Sequence, residues 1–374
     1  MTVNNVPLLD LNAQYEPMKD DIIQTMTEVF NSKRFINGPK VDELETKMAD
    51  YCGAKYAIAV SSGTDALIVS LMALEIGAGD EVITTPFTFF ATAGCIARVG
   101  AKPVFVDIDP ETFNIDSKQI EAKITPKTKA IMPVHLFGQM ADMDPILSIA
   151  QKHNLYVIED AAQAIGSTYY SHNLKVEKKA GSMGTIGCFS FFPSKNLGAC
   201  GDAGAVTTND EALAKKIKAL RMHGESQRYY HDYIGGNFRI DALQAALLLV
   251  KLPYLEAQHK GRIANAKYYD INLANLVQTP KIHTGCKTIY NQYTIRTQKR
   301  DQLLKHLQDQ KIGCAVYYPV CLHEQKCFAY LGYKPGDFPA SEKAAQEVLA
   351  LPVYAELTNE QKAYVVAGIK SFFA

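Results

Sequence analysis

The stretch Ser190-Phe-Phe-Pro-Ser-Lys195-Asn-Leu-Gly198, with Gly201-Asp-Ala-Gly204 close behind, sets one lysine in a turn of small residues after an apolar run. Between Gly181 and Gly201, Lys195 is the only charged side chain. An ammonium drawn into apolar surroundings has its charged form disfavoured, so its pKa falls and the free amine becomes usable as a nucleophile. That is the requirement for a Schiff-base lysine. The same turn also suits a lysine whose stem lies on apolar surface while its head reaches solvent. The choice between the two rests on what the remaining chain places beside it.

Outward from this turn the chain alternates between short apolar runs and helical periods. Tyr56–Val60, Glu81–Thr84, 103–107, 130–134, Tyr156–Asp160, 188–192 and 205–208 read as strands. Helices are expected at 65–74, 91–99, 118–122, Met143–His153 and 211–222. Near-continuous apolar strands separated by helices imply an α/β fold with a mostly parallel sheet covered on both faces. Ahead of them, 14–32 and 40–51 read as amphipathic helices, broken by the turn Phe35-Ile36-Asn37-Gly38-Pro39. Helices at 240–251 and 258–273 follow. The texture then changes to a strand at 290–296, a helix at 300–310, a strand at 313–318 and helices at 341–349 and Asn359–Phe373. The expectation is a large domain over residues 13–250 and a smaller α+β domain over 251–374, with residues 1–12 packing on the latter.

Composition narrows the class. Lys+Arg and Asp+Glu both total 39, so no bulk field favours nucleic acid or an anionic membrane. The N-terminus lacks the charged and apolar regions of a signal peptide, and no apolar run approaches the roughly 20 residues that span a bilayer. Eight cysteines without a Cys-x-x-Cys pair read as reduced thiols, and nine histidines without paired spacing assign no metal. A soluble cytoplasmic protein is expected.

In an open parallel sheet, ligands collect at the carboxyl ends of strands. Ser61-Ser62-Gly63-Thr64-Asp65 joins a strand to a helix, where free N–H groups suit a phosphate; it also suits an ordinary helix cap. Thr85-Pro86-Phe87-Thr88-Phe89 offers an aromatic plate or simply core. Glu159-Asp160-Ala-Ala-Gln163 leaves a buried strand with two carboxylates on opposite faces, so only one can meet a ligand. The lysine turn, with Ser190 five residues earlier, is the fourth segment. A phosphate cradle, an aromatic plate, an acid and an imine-forming amine are together what pyridoxal phosphate requires.

These segments, with Gly79-Asp-Glu-Val-Ile83 and Tyr317-Tyr-Pro-Val320, make the chain similar over essentially its whole length to the DegT/StrS-type nucleotide-sugar aminotransferases. These are pyridoxal-phosphate enzymes of fold type I. The resemblance implies that Lys195 carries the cofactor and moves the proton, and that Asp160 pairs with the pyridinium nitrogen, with a pKa lowered by that cation. It further implies that Gln163 meets the ring hydroxyl and that Phe89 stacks on the ring. Gly63, Thr64, Asp65 and the Ser190 hydroxyl would receive the phosphate. Asn237, in Gly235-Gly-Asn-Phe-Arg239, would reach the phosphate of a neighbouring subunit in a homodimer. Arg239, Tyr317, Tyr318 and His323 would face the sugar substrate. The implied reaction takes an amino group from L-glutamate to a nucleotide-linked keto-sugar. Gln163, where members acting on a 4-keto carbon often carry histidine, and Gln292-Tyr-Thr-Ile-Arg296 resemble members acting on the 3-keto carbon of UDP-N-acetylglucosamine derivatives, including the glucuronate. A 4-keto or dTDP-linked substrate is the alternative. A regulator that binds the cofactor without catalysis is the reading from another class, and Lys195 argues against the family's dehydratases, which carry histidine there.

Overall fold

The computed structural model describes residues 4–374. Nine strands lie between residues 56 and 208. In chain order they are β1 Tyr56–Val60, β2 Glu81–Thr84, β3 Lys102–Phe105, β4 Thr128–Ile131, β5 Tyr156–Asp160, β6 Thr168–Ser171, β7 Val176–Lys179, β8 Ile186–Ser190 and β9 Gly204–Thr208. Seven form one sheet in the order β1-β9-β8-β5-β4-β2-β3. Only β9 runs against its neighbours; the other pairings are parallel. The carboxyl ends of β1, β2, β5 and β8 therefore open on one edge, which is where all four chemistry-bearing segments begin.

Both faces of the sheet are covered, and the alternation along each strand shows how. Ala57 and Ala59 of β1 turn to one cluster, with residues of the helices Lys19–Ser32, Pro39–Cys52 and Ala242–Lys251. Ile58 and Val60 turn to the other, with Gly63–Ala73, Ala91–Arg98 and Glu211–Arg221. Val157 and Ile158 of β5 divide in the same way. Each buried aliphatic side chain contributes roughly 1.5–3 kcal/mol, so the sheet is fixed from both sides.

A second unit has its own core of Tyr269, Tyr293, Leu303, Leu349, Val365 and their neighbours. It sets the helices Leu255–Leu273, Arg300–Asp309 and Asn359–Phe373 around the antiparallel pair Tyr293–Arg296 and Val348–Leu351. Val6 belongs to this core; its N–H donates to the Lys311 carbonyl at 3.0 Å and its carbonyl accepts from Gly313 N–H at 2.7 Å. Among the described residues no helix is long and apolar enough to cross a membrane.

Several elements differ from expectation. The 14–32 helix is three pieces, Leu11–Tyr15, a 3-10 turn Glu16–Met18 and Lys19–Ser32, broken around Pro17. No strand forms over 313–318. Gly313 bonds to Val6 and Ala315 bridges Ala350, so the backbone divides itself between two partners and builds no ladder. The 341–349 helix is Pro339–Glu347, and the apolar run Val348–Leu351 is a strand buried on both faces. That helix starts where it does because the Asp107 carboxylate accepts from the Ala340 and Ser341 N–H groups, both at 2.9 Å. The β6–β7 hairpin, with a polar second strand, is an element the sequence reading lacks.

Candidate active site

The Lys195 turn leaves β8 as a closed loop. Phe191 N–H donates to the Ala203 carbonyl at 2.8 Å and Ala199 N–H returns to the Phe191 carbonyl at 2.7 Å. Phe191, Leu197 and Ala199 sink into the core, which leaves the half-buried Lys195 facing the strand ends. Burial lowers the Lys195 pKa to about 8, while the Asp160 charge pulls it upward. Near neutrality the amine is therefore mostly charged, but its unprotonated fraction is far larger than that of an ordinary lysine and grows as the pH approaches 8.

The end of β5 splits its two carboxylates. Glu159 is fully buried. One oxygen accepts from His135 Nε2 at 2.8 Å and Gly181 N–H at 2.8 Å; the other accepts from Met183 N–H at 2.8 Å and Gly184 N–H at 2.6 Å. His135 Nδ1 accepts from Ala141 N–H at 3.1 Å, which places the ring proton on Nε2, toward Glu159. Burial alone would raise the Glu159 pKa, but the His135 hydrogen bond and the Gly184 and Gly181 N–H groups hold it below its ordinary value. Asp160, on the opposite face, has fewer partners: Thr92 Oγ1 at 2.8 Å and Ala162 N–H at 3.2 Å. Burial raises its pKa, against the Thr92 hydroxyl, the Ala162 N–H and the Lys195 charge. The expected lowering needs a cation against the carboxylate; the chain alone supplies burial, so the shift runs upward.

The β1 turn meets the β8 end. A Cβ on Gly63 would lie 2.6 Å from Ser190 Cβ and one on Gly204 2.4 Å from the Ser62 carbonyl, so this approach requires glycine at both places. Thr64 is exposed beside them, and Ser190 Oγ is half-open, accepting only a long bond from Phe192 N–H at 3.3 Å. Asp65 is otherwise engaged. Its carboxylate accepts from Ser61 Oγ at 2.6 Å and Ser62 Oγ at 3.0 Å, and its N–H is capped by Ser62 Oγ at 3.0 Å. With its N–H taken and a like charge on its side chain, Asp65 turns no donor to a phosphate; against expectation its carboxylate holds the Ser61 and Ser62 hydroxyls, Ser62 being the helix cap.

Across the opening, Phe137 N–H fixes Gln163 Oε1 at 2.7 Å, which turns Gln163 Nε2 toward the Tyr318 hydroxyl at 3.0 Å. Tyr318 lies against Phe87 and Phe89, with centroids at 6.2 and 6.3 Å, and burial raises its pKa. Phe89 keeps 58% of its surface exposed, a free aromatic face at the mouth of the site. Tyr317 packs edge-on against Tyr318.

Asn237 is exposed, on a segment whose next residue, Phe238, accepts at its carbonyl from Ser61 N–H at 2.9 Å. Arg239 follows, half-buried, and its Nε is enclosed without a hydrogen-bond partner. His323 departs from expectation. Its side chain is fully buried, Nε2 bonded to Glu342 at 3.1 Å and ring against Phe338 at 4.7 Å, which leaves no face for a substrate. Thr92, His135 and Asn196 were not foreseen. Asn196 follows the catalytic lysine candidate, and its amide accepts from Asn291 Nδ2 at 2.7 Å. Thr92 sits three residues past Phe89, the only local signal; the partners of His135 and Asn196 are remote in sequence.

The residues fit a flat phosphorylated aldehyde. The glycine turn leaves room beside Ser190, the Asp160 carboxylate is buried and short of partners, and the Lys195 amine lies within its electrostatic reach. Comparison with known proteins agrees. Residues 16–370 match the model of the DegT/DnrJ/EryC1/StrS aminotransferase family, and the chain belongs to it. It is 52% identical to a pleiotropic regulatory protein of Geobacillus stearothermophilus, over 99% of each chain. It is 44% identical, again over 99% of each, to UDP-N-acetyl-3-dehydro-alpha-D-glucosamine 3-aminotransferase of Acidithiobacillus ferrooxidans. Identity is 42% to UDP-2-acetamido-2-deoxy-3-oxo-D-glucuronate aminotransferase of Pseudomonas aeruginosa, over 97% of this chain and 99% of that one. The solved structure of NtdA from Bacillus subtilis with bound cofactor PMP superposes with a TM-score of 0.91 at 34% identity, covering 99% of this chain and 86% of that one. The chain is a pyridoxal-phosphate-dependent nucleotide-sugar aminotransferase.

Proposed function

We propose that the chain transfers the amino group of L-glutamate to the 3-keto carbon of a UDP-linked N-acetylglucosamine derivative. The observation that carries the chemistry is the Lys195 amine lying within electrostatic reach of the buried Asp160 carboxylate, the amine's pKa lowered and the carboxyl's raised by burial. The choice of carbon and nucleotide is supported by the activities named for two relatives at 44% and 42% identity.

Bound here, pyridoxal phosphate supplies an electron sink for the carbanion left when a carbon–hydrogen bond breaks. Lys195 Nζ accepts the proton from the donor carbon and later delivers one to the sugar carbon. The Asp160 carboxylate, held by Thr92 and Ala162, keeps a proton on the ring nitrogen. Gln163 Nε2 donates toward the ring hydroxyl because Phe137 N–H has fixed the other end of its amide. Phe89 covers the ring face, and Thr64, Ser190 and the Gly63 backbone take the phosphate. Tyr317 and Tyr318 line the sugar side.

The active unit is a homodimer in the cytoplasm, with Asn237 completing the phosphate site of the partner subunit. Mixing Lys195→Ala with Asn237→Ala protein tests this: shared sites restore activity in mixed dimers, while independent sites restore none. Arg239, with an unpaired Nε, meets a carboxylate if the sugar is the uronate. Arg239→Ala would then lose far more on the acid than on the neutral sugar; equal loss on both removes that role.

An amination panel of UDP- and dTDP-linked keto-sugars with glutamate, product position read by NMR, tests the whole reading. Amination at carbon 3 of a UDP sugar is expected, and amination at carbon 4 would contradict it. The product would enter cell-surface polysaccharide or lipid A sugar biosynthesis. The relative at 52% identity, named as a regulator, favours a second reading, a cofactor-binding regulator. A visible absorbance that glutamate leaves unchanged would support that one instead.

A further inference from the structure

One buried cation lies outside the machinery described so far. Lys251 closes the helix Ala242–Lys251, and only 8% of its surface is exposed. Its Nζ donates to two neutral acceptors, the Gly198 carbonyl at 2.6 Å and Gln14 Oε1 at 3.0 Å. No carboxylate pairs with it among the described residues; Cys200 and Glu356 are the titratable groups whose charges reach it. A buried ammonium without a counter-ion is costly, and hydrophobic residues of similar volume serve stability as well or better. Its place in the fold suggests what it does instead. Gly198 is the last residue of the Lys195 turn, and the next N–H, of Ala199, closes that turn on Phe191.

We propose that Lys251 is a positioning residue for Lys195: its ammonium holds the Gly198 carbonyl and so fixes the base of the turn that presents the amine. The far side of the turn is held independently, by Asn291 Nδ2 on Asn196 Oδ1 at 2.7 Å. Asn196 and Gly198 flank Leu197, which is buried in the core, so these two side-chain ties add to the backbone bonds of the turn, Lys195 N–H to the Phe192 carbonyl at 2.8 Å and Ala199 N–H to the Phe191 carbonyl at 2.7 Å. Lys251 is the tie that carries a charge, and charge-assisted hydrogen bonds are the stronger kind. Through Gln14, also buried, it fastens the same point to the helix Leu11–Tyr15. Burial lowers the Lys251 pKa to about 8, so an unpaired, partly neutralised tie lies within reach of physiological pH.

The inference rests on Lys195 being the residue that links the cofactor, and the test separates the two. Lys251→Met, Lys251→Arg and Lys251→Gln are loaded with pyridoxal phosphate beside wild-type and Lys195→Ala protein. The visible absorbance of the lysine-linked cofactor is titrated against pH, the rate and apparent KM of the glutamate half-reaction are measured, and thermal unfolding is followed without cofactor. Lys251→Met is expected to move the absorbance midpoint and to slow the half-reaction by about 10- to 100-fold, with KM changed less than about threefold. Lys251→Arg, which restores a charged donor, is expected to return both most of the way. Should the Met variant not fold, Lys251→Gln decides, with a displaced midpoint expected. An unchanged midpoint in Met or Gln, or an Arg variant as impaired as Met, overturns the role of Lys251. A lysine-linked cofactor persisting in Lys195→Ala overturns the assignment of Lys195 itself.

Discussion

The two faces of β5 end in neighbouring carboxylates with opposite fates. On one face, Glu159 accepts four hydrogen bonds from His135, Gly181, Met183 and Gly184, and its charge is settled. On the other, Asp160 accepts two, and burial pushes its pKa up. The chemistry and the depth are alike; only the partners differ. A fully partnered buried charge holds a fold in one arrangement, whereas an under-partnered one waits for a cation from elsewhere. Here the waiting face is the one turned toward Lys195.

The comparison breaks first at Asp160. Asp160→Asn should cost about 10²–10⁴-fold in the transamination rate while leaving thermal unfolding unchanged or higher, because a buried charge with few partners has been removed. Near-normal turnover would place Asp160 on the structural side with Glu159. The reverse is expected for Glu159→Gln. It should lose roughly 3–5 kcal/mol in urea unfolding, since His135 and three N–H groups lose their anion. Wild-type stability in that variant would mean the network is ornamental.

Much of this division is already visible in the order of residues, and part of it is not. Strand alternation alone puts Glu159 and Asp160 on opposite faces, and the bounds of β2, β5 and the helix Met143–His153 follow from their apolar patterns. Which face would be satisfied does not follow, because His135 and the Gly181–Gly184 turn come from segments 20 or more residues away and lack any local mark. The same limit explains His323, whose burial depends on Glu342 and Phe338. It also explains 313–318, where the expected strand does not form because its backbone is shared between two neighbours, Val6 and Ala350. Asp65 differs from expectation for the opposite reason: a serine-capped helix start and a phosphate-binding turn share one sequence, and only the positions of the Ser61 and Ser62 hydroxyls tell them apart.

A smaller effect concerns the amine facing Asp160. In cofactor-free protein, Lys195→Met should stabilise the fold at pH 7 by on the order of 2 kcal/mol. The sign follows from the depressed pKa. Below about 8 the folded state must hold the charge in a buried place, a penalty present in full. As pH rises from about 8 toward the ordinary value of 10.5, the unfolded chain binds the extra proton and the penalty fades. Denaturant unfolding at pH 7 and pH 10 should show the advantage of the variant shrinking; a constant advantage would mean packing, not charge. The smallest change is expected for Thr92→Val, about 1 kcal/mol from the lost hydroxyl, with the Asp160 pKa rising further because one of the groups lowering it is gone. Infrared titration of the carboxylate would register that rise, and a fall would contradict it.

The most direct measurement is to trap the cofactor on the residue that links it. Loaded protein is reduced with borohydride and digested, and the modified lysine is located by mass spectrometry. The adduct is expected on the peptide carrying Lys195 and on no other, and is expected to vanish in Lys195→Ala together with transamination. An adduct on another lysine, such as the neighbouring buried Lys251, or full transamination by Lys195→Ala, would contradict the account.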